Sequence, residues 1–161
     1  MQGGSMLTAT EVYTGAKRFK EAYGDYMAPL SRELGMSQTA LDILMFLANN
    51  PSLSTAAEVC GYLRLKSAIV SFHVEKLVQQ GLLQRLPAQR DRRRSPLAPT
   101  EAARPLIERG RRMQEAFSKA LLKGLKEEEL QAFERCLAGM EENLKALERE
   151  NTPKGKKERA Q

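Results

Sequence analysis

The sequence predicts a mainly α-helical protein with one small β-hairpin. Three observations carry that prediction: long apolar stripes at helical spacing near both ends, shorter helix-period segments between them, and a proline-bounded, arginine-rich stretch after the last of these. At 161 residues the chain can bury a core as a single domain without disulfide or metal support. Its formal charge of +6 favours a polyanionic partner. The excess is local, since positions 85–112 hold nine arginines against Asp91, Glu101 and Glu108.

Residues 1–5, ahead of a second methionine, read as an expression-vector remnant, with Met6 the expected natural start. No signal-peptide pattern follows, and no apolar run approaches the roughly 20 residues that span a bilayer, so a cytoplasmic protein with no membrane partner is expected. Segment 6–36 is expected to be an N-terminal dimerisation helix. From Thr8 to Leu34 its apolar residues Val12, Ala16, Phe19, Tyr23, Tyr26, Leu30 and Leu34 recur every three or four positions, which is one helix stripe.

Segment 37–99 is expected to be a separate lobe. Ser37 precedes an apolar helix over Gln38 to Ala48, and Asn49-Asn50-Pro51 breaks it. Ser54 is the expected cap of the next helix, Thr55 to Leu63, and a further helix runs from Lys66 to Gln80 with Val70, Val74, Leu77 and Val78 on one face. Gly81 ends it. Leu82 to Leu86 and Ser95 to Ala98 then read as a hairpin whose strands are held to edges by Pro87, Pro96 and Pro99.

Segment 100–150 is expected to hold linker and dimerisation helices. Thr100 begins a helix to about Leu122, with acidic Glu101 in its first turn. Leu130, Phe133, Leu137, Met140, Leu144 and Leu147 mark a second seam. Two seamed helices at opposite ends of a short chain need a partner surface, which a two-fold axis supplies, so a homodimer is expected with Val12, Phe19, Leu30, Phe133, Leu137, Met140 and Leu144 at its interface. The Lys-rich tail 151–161 is too polar to order itself and is expected to be disordered.

Helix, tight turn, helix and basic hairpin in that order make a winged helix-turn-helix, the layout of a double-stranded DNA reader. The outward face of the Lys66–Gln80 helix carries Ser67, Ala68, Ser71 and Phe72, with Lys66 and Lys76 at its margins. Small and hydroxyl residues permit close approach to base edges, and an exposed phenyl can meet a thymine methyl. On the hairpin tip, Arg90, Arg92, Arg93 and Arg94 suit phosphates and the narrow minor groove, with Asp91 holding the tip's shape by pairing with a neighbouring arginine. The alternative is a helical interaction module that uses the same arginines on an acidic protein.

These residues carry a resemblance. Asp91, Arg93, Leu97 and Thr100 match the wing pattern DxRxxxLxLT, and Leu77, Gly81, Leu82 and Arg85 match LxxxGLxxR, so the chain resembles the MarR family of bacterial transcription regulators. The resemblance implies a dimer built from N- and C-terminal helices and a small-molecule effector; two-fold symmetry predicts an inverted-repeat operator, and a repressor released by that effector is the expected output. The resemblance places that effector between the dimer helices and the DNA-binding lobe, where Tyr23, Tyr26, Met27 and Met45 would suit a small aromatic or lipophilic molecule. Pro99, Ala103 and Phe72 depart from the family pattern where leucine, glycine and arginine are usual.

Enzymatic chemistry is not expected. The chain has one histidine and no GxSxG, P-loop or HExxH motif. His73 lies beside Val74 and Leu77, so core-edge packing or a phosphate contact is its expected role, and no metal or other cofactor is expected. Cys60 is expected to be buried and Cys136 to adjoin the Leu137 seam, and neither lies on the first helix, where the peroxide-sensing members of the family carry theirs.

Overall fold

The structure, a computed structural model, describes residues 7–87 and 95–151. It divides into two compact units, the first ending at Ala120 and the second beginning at Leu121, where chain length alone predicts one domain. The expectations for segments 1–5 and 152–161 and for the hairpin tip lie outside the described residues.

In the first unit, α1 (Ala9–Glu33) starts at a capping box: the Thr8 hydroxyl accepts from the Glu11 N–H, and the Glu11 carboxylate accepts from the Thr8 N–H at 2.8 Å. Its C-terminal third turns Met27, Leu30 and Ser31 inward. α2 (Gln38–Asn49), capped by Ser37, buries Ala40, Leu41, Ile43, Leu44, Met45 and Leu47, and a helix this apolar around its circumference has to lie between other elements. Leu41 and Met45 pack on Met27 and Leu30 of α1. Ile43, Leu44 and Leu47 enter the main core with Val59, Val70, Val74, Leu77, Leu83 and Leu97.

α3 (Ala56–Leu63) is capped by Thr55 rather than Ser54. The reason is Glu58, which stands three residues after Thr55 and returns its carboxylate to the Thr55 N–H at 2.8 Å, closing the reciprocal box that Ser54 would lack. α4 (Ser67–Gln79) ends in a Schellman motif: the Gly81 N–H donates to the Val78 carbonyl and the Leu82 N–H to the Leu77 carbonyl, with Gly81 at φ 71°. β1 (Leu83–Arg85) then pairs antiparallel with β2 (Leu97–Pro99), in register Leu83↔Pro99 and Arg85↔Leu97. Pro99 is accommodated because each strand of a two-stranded sheet has a free edge.

The expected helix from Thr100 begins as a 3₁₀ turn (Glu101–Ala103) and continues as α5 (Arg104–Leu121). α5 approaches α2 closely at Gly110, where a Cβ would stand 2.5 Å from the Met45 sulfur. A side chain there would have to displace the Met45 thioether. The second unit consists mainly of α6 (Glu127–Asn151), which starts with Glu127, Glu128 and Glu129 at the positive end of its dipole.

Candidate nucleic-acid interface

Burial of Val70, Val74 and Leu77 fixes the rotation of α4, because residues three and four apart share one face. The opposite face is therefore committed outward. All six residues expected to read the major groove, Lys66, Ser67, Ala68, Ser71, Phe72 and Lys76, are exposed there. Phe72 retains 58% of its surface, and its ring is held edge-on to His73 at 5.1 Å with the Lys76 Nζ 5.6 Å from the ring centroid. Ile69, which the sequence reading passed over, is exposed beside it; its place three residues before Phe72 and off the buried stripe was the available signal.

His73 is half-buried, and burial, helped by nearby Lys76, holds its imidazole below the usual value. Its Nδ1 is buried without a hydrogen-bond partner. Of its two expected roles, core-edge packing agrees with this placement. Glu75, the one carboxylate on α4, is engaged by Arg85 of β1 and by Gln79, each at 3.5 Å.

The base of the hairpin is tied on two sides. The Thr100 hydroxyl donates to the Gly81 carbonyl and the Thr100 N–H to the Leu82 carbonyl at 3.1 Å, while the Leu97 N–H donates to the Ser54 carbonyl at 2.7 Å. These bonds couple the base of the hairpin to the end of α4 and to the turn before α3. The tip residues Arg90, Asp91, Arg92, Arg93 and Arg94 lie outside the described residues.

Several arginines of the basic stretch have partners within the chain. Arg85 meets Glu75, Arg104 meets Glu101 at 2.6 Å, and Arg109 makes a two-pronged pair with Glu33 of α1. Arg111 donates to the Ala48 carbonyl at 2.7 Å and to Asn49 Oδ1 at 2.9 Å, closing the end of α2, whose last turn has no basic residue. Three of these side chains, Arg85, Arg109 and Arg111, join separate elements of the chain, and the Arg104 pair is local to one turn, roles that composition alone could not separate from ligand binding.

The residues expected to line an effector pocket are mostly packed. Met27 and Met45 have no more than 1% of their surface exposed. Tyr23 is half-buried, its hydroxyl accepting from Gln114 Nε2 at 2.7 Å, and burial raises its phenol above the usual value. Phe19, Tyr23 and Tyr26 surround Phe117 of α5 at 5.5–5.7 Å between ring centroids. That aromatic cluster was not foreseen. A cleft of about 380 Å³ at the base of the hairpin, bounded by Leu47, Pro51, Pro99, Arg104 and Ile107, involves none of the four.

Of the expected dimer residues, Phe19, Phe133, Leu137, Met140 and Leu144 keep between 41% and 52% of their surface exposed, and Val12 is half-buried. Leu30 is a correction. It is fully buried by Leu41 and Met45 of its own chain and has no surface to offer a partner. Cys60 is likewise half-buried rather than buried, packed at the margin of the main core, and Cys136 is exposed. Among the described residues no group of metal-ligating side chains occurs, and no helix is long and apolar enough to cross a membrane.

The family model described as MarR family matches residues 34–94. Solved structures share the fold. A MarR-family regulator from Listeria monocytogenes, complexed with a 26mer DNA, is similar at 18% identity with a TM-score of 0.75, over 89% of this chain and 97% of that one. A MarR-family transcriptional regulator from Silicibacter pomeroyi is similar at 19% identity and 0.73, over 88% and 96%. MepR of S. aureus, in a complex with DNA, is similar at 17% identity and 0.67, over 88% and 99%. No curated protein matches the chain.

Proposed function

We propose that this chain, a MarR-family winged-helix protein, acts as a homodimeric, sequence-specific regulator of transcription that binds an inverted-repeat duplex and represses until a small molecule releases it. The observation that carries this reading is α4: its apolar stripe is spent on the core, leaving an outward face of small, hydroxyl and aromatic residues flanked by Lys66 and Lys76. The hairpin beside it leads into the densest arginine run of the sequence. A helix of this kind fits the major groove, and guanidiniums on an adjoining hairpin suit phosphates and the minor groove. The DNA complexes formed by two similar proteins support the same partner for this one.

The exposed stripes of α1 and α6 support the dimer. For the effector, Tyr26 keeps 40% of its surface exposed and Tyr23 lies half-buried beside it against Phe117, which offers an aromatic wall. Met27 and Met45 take part only if a ligand displaces them from the core. Such a ligand releases DNA by binding the free dimer more tightly than the bound one.

The salt dependence of binding to duplex fragments recovered from the source genome tests the reading. Neutralised phosphates give a log–log slope of about −0.9 each. Replacing Arg90, Arg92, Arg93 and Arg94 by alanine should make the slope shallower by about one for each that meets phosphate. A slope near zero would instead favour an acidic protein as the partner.

A further inference from the structure

We infer that α4 reads its operator chiefly through the C5-methyl groups of thymine, with Phe72 and Ile69 as the specificity-determining residues. This rests on the DNA-binding reading above and names what the site recognises. Three observations lead to it. The first is how little α4 offers for reading purines: of the arginine, lysine, asparagine and glutamine side chains that pair with guanine or adenine in the major groove, it holds between Ser67 and Gln79 only Lys76, whose Nζ lies 5.6 Å from the Phe72 ring centroid, and Gln79. Its Gln79 lies at the last turn and engages Glu75 at 3.5 Å, and Glu75, which could accept from cytosine, is also engaged by Arg85.

The second is what the face presents instead. Phe72 and Ile69 keep 58% and 43% of their surfaces exposed, while three other apolar residues of the same short helix, Val70, Val74 and Leu77, have 1% or less. Exposed apolar area costs about 25 cal/mol per Å² relative to burial, so a helix carrying two such side chains on its outward face gains by covering them. Thymine methyls are the apolar feature of the major groove, and they distinguish A·T from G·C and T·A from A·T.

The third is preorganisation. The Phe72 ring lies edge-on to His73 at 5.1 Å and has the Lys76 Nζ 5.6 Å from its centroid, two contacts that favour one orientation of the ring before DNA is met. Ala68, one turn before Phe72 and also exposed, adds no bulk that would hold the ring away from the groove. Lys76 remains placed to meet a phosphate from the ring's flank. The serines at 67 and 71 can hydrogen-bond to any base and therefore discriminate weakly.

The test uses the full chain and the duplex it selects from a random pool, prepared in two forms, with thymine and with every thymine replaced by uracil, which removes only the C5-methyl groups. The wild type should prefer the thymine form by about fourfold for each methyl covered. Phe72→Ala, at an exposed position where the fold is not at stake, should lose part of the preference, Phe72→Leu should recover some of it, and Phe72→Ala combined with Ile69→Ala should bind both forms with nearly equal affinity. Comparing the thymine-to-uracil ratio of wild type and variant cancels any effect of uracil on the duplex itself. Equal affinity of the wild type for the two forms, with tight selected binding intact, overturns the inference and leaves the DNA-binding reading standing. Failure to select any duplex overturns that reading, and the inference with it.

Discussion

Helices α1 and α6 are each 25 residues long and each carries apolar residues at three- and four-residue spacing, yet they end in different environments. α1 buries Met27, Leu30 and Ser31 and surrounds Phe117 with three aromatic rings. Among the described residues of α6 no side chain is buried, and Phe133, Leu137, Met140, Leu144 and Leu147 all keep 41% or more of their surface. An apolar stripe demands a partner but does not say which. α1 finds much of its partner in its own chain, at α2 and α5, and so belongs partly to the fold. The α6 stripe, read beside the exposed first half of α1, supports the proposal that its partner is another copy.

That contrast predicts different consequences for similar mutations. Phe117→Ala removes the ring on which Phe19, Tyr23 and Tyr26 converge and should cost about 3–5 kcal/mol of folding stability. Leu30→Ala should cost about 2–5 kcal/mol, with the depth of the cavity deciding where in that range it falls. Denaturant unfolding measures both, and neither loss should be recoverable by raising protein concentration. If Leu30→Ala changed only self-association, α1 would belong with α6 and the comparison would collapse.

For α6 the expected outcome is reversed. Leu137→Ala combined with Leu144→Ala removes apolar area from the exposed stripe and should weaken dimerisation by about ten- to hundredfold, read by sedimentation equilibrium across protein concentrations. Secondary structure should be unchanged at concentrations where both proteins are dimeric. Unaltered self-association in the double variant would separate the stripe from the dimer.

Much of the architecture was legible because helical periodicity and punctuation agree. The Ser37 cap and Gly81 at a Schellman end each act within a few residues, whereas the second strand, expected over Ser95 to Ala98, runs from Leu97 to Pro99 because a free edge lets proline stand inside it. The cap at Thr55 was legible too but hidden by an adjacent serine; Glu58 decides between them. Leu30 was misplaced for a different reason. Its spacing is that of a seam, and only the packing of α2 across it makes it core. Phe117 escaped notice because Arg111, Arg112, Glu115 and Lys119 dilute the apolar positions around it. The outward face of α4 was easier to anticipate than the surroundings of Met27 and Met45, since an outward face follows from which stripe is buried, whereas a pocket depends on how several helices fit.

The smallest predicted effect sharpens the α1 side of the comparison. Asp42 of α2 accepts from Gln38 Nε2 at 2.8 Å, and burial raises its carboxyl above the usual value, opposed by the Gln38 hydrogen bond and by Lys20 of α1. A folded value above the unfolded one means that the folded state binds the proton more readily. The stabilisation this gives is complete below the unfolded value, near 3.9, and is lost as pH rises through the raised folded value. Ionised Asp42 is therefore a cost at neutral pH. Asp42→Asn, which keeps an acceptor for Gln38, should raise the melting temperature at pH 7 and converge with the wild type near pH 4. An equal difference at both pH values would locate the effect elsewhere.

The central claim, that a two-fold pair of winged lobes reads an inverted repeat, is tested most directly by hydroxyl-radical footprinting of the wild type on its selected duplex. The account predicts two protected half-sites related by a dyad, about one helical turn or 10 bp apart centre to centre. A single protected segment without dyad symmetry, occupied by one chain, would contradict it.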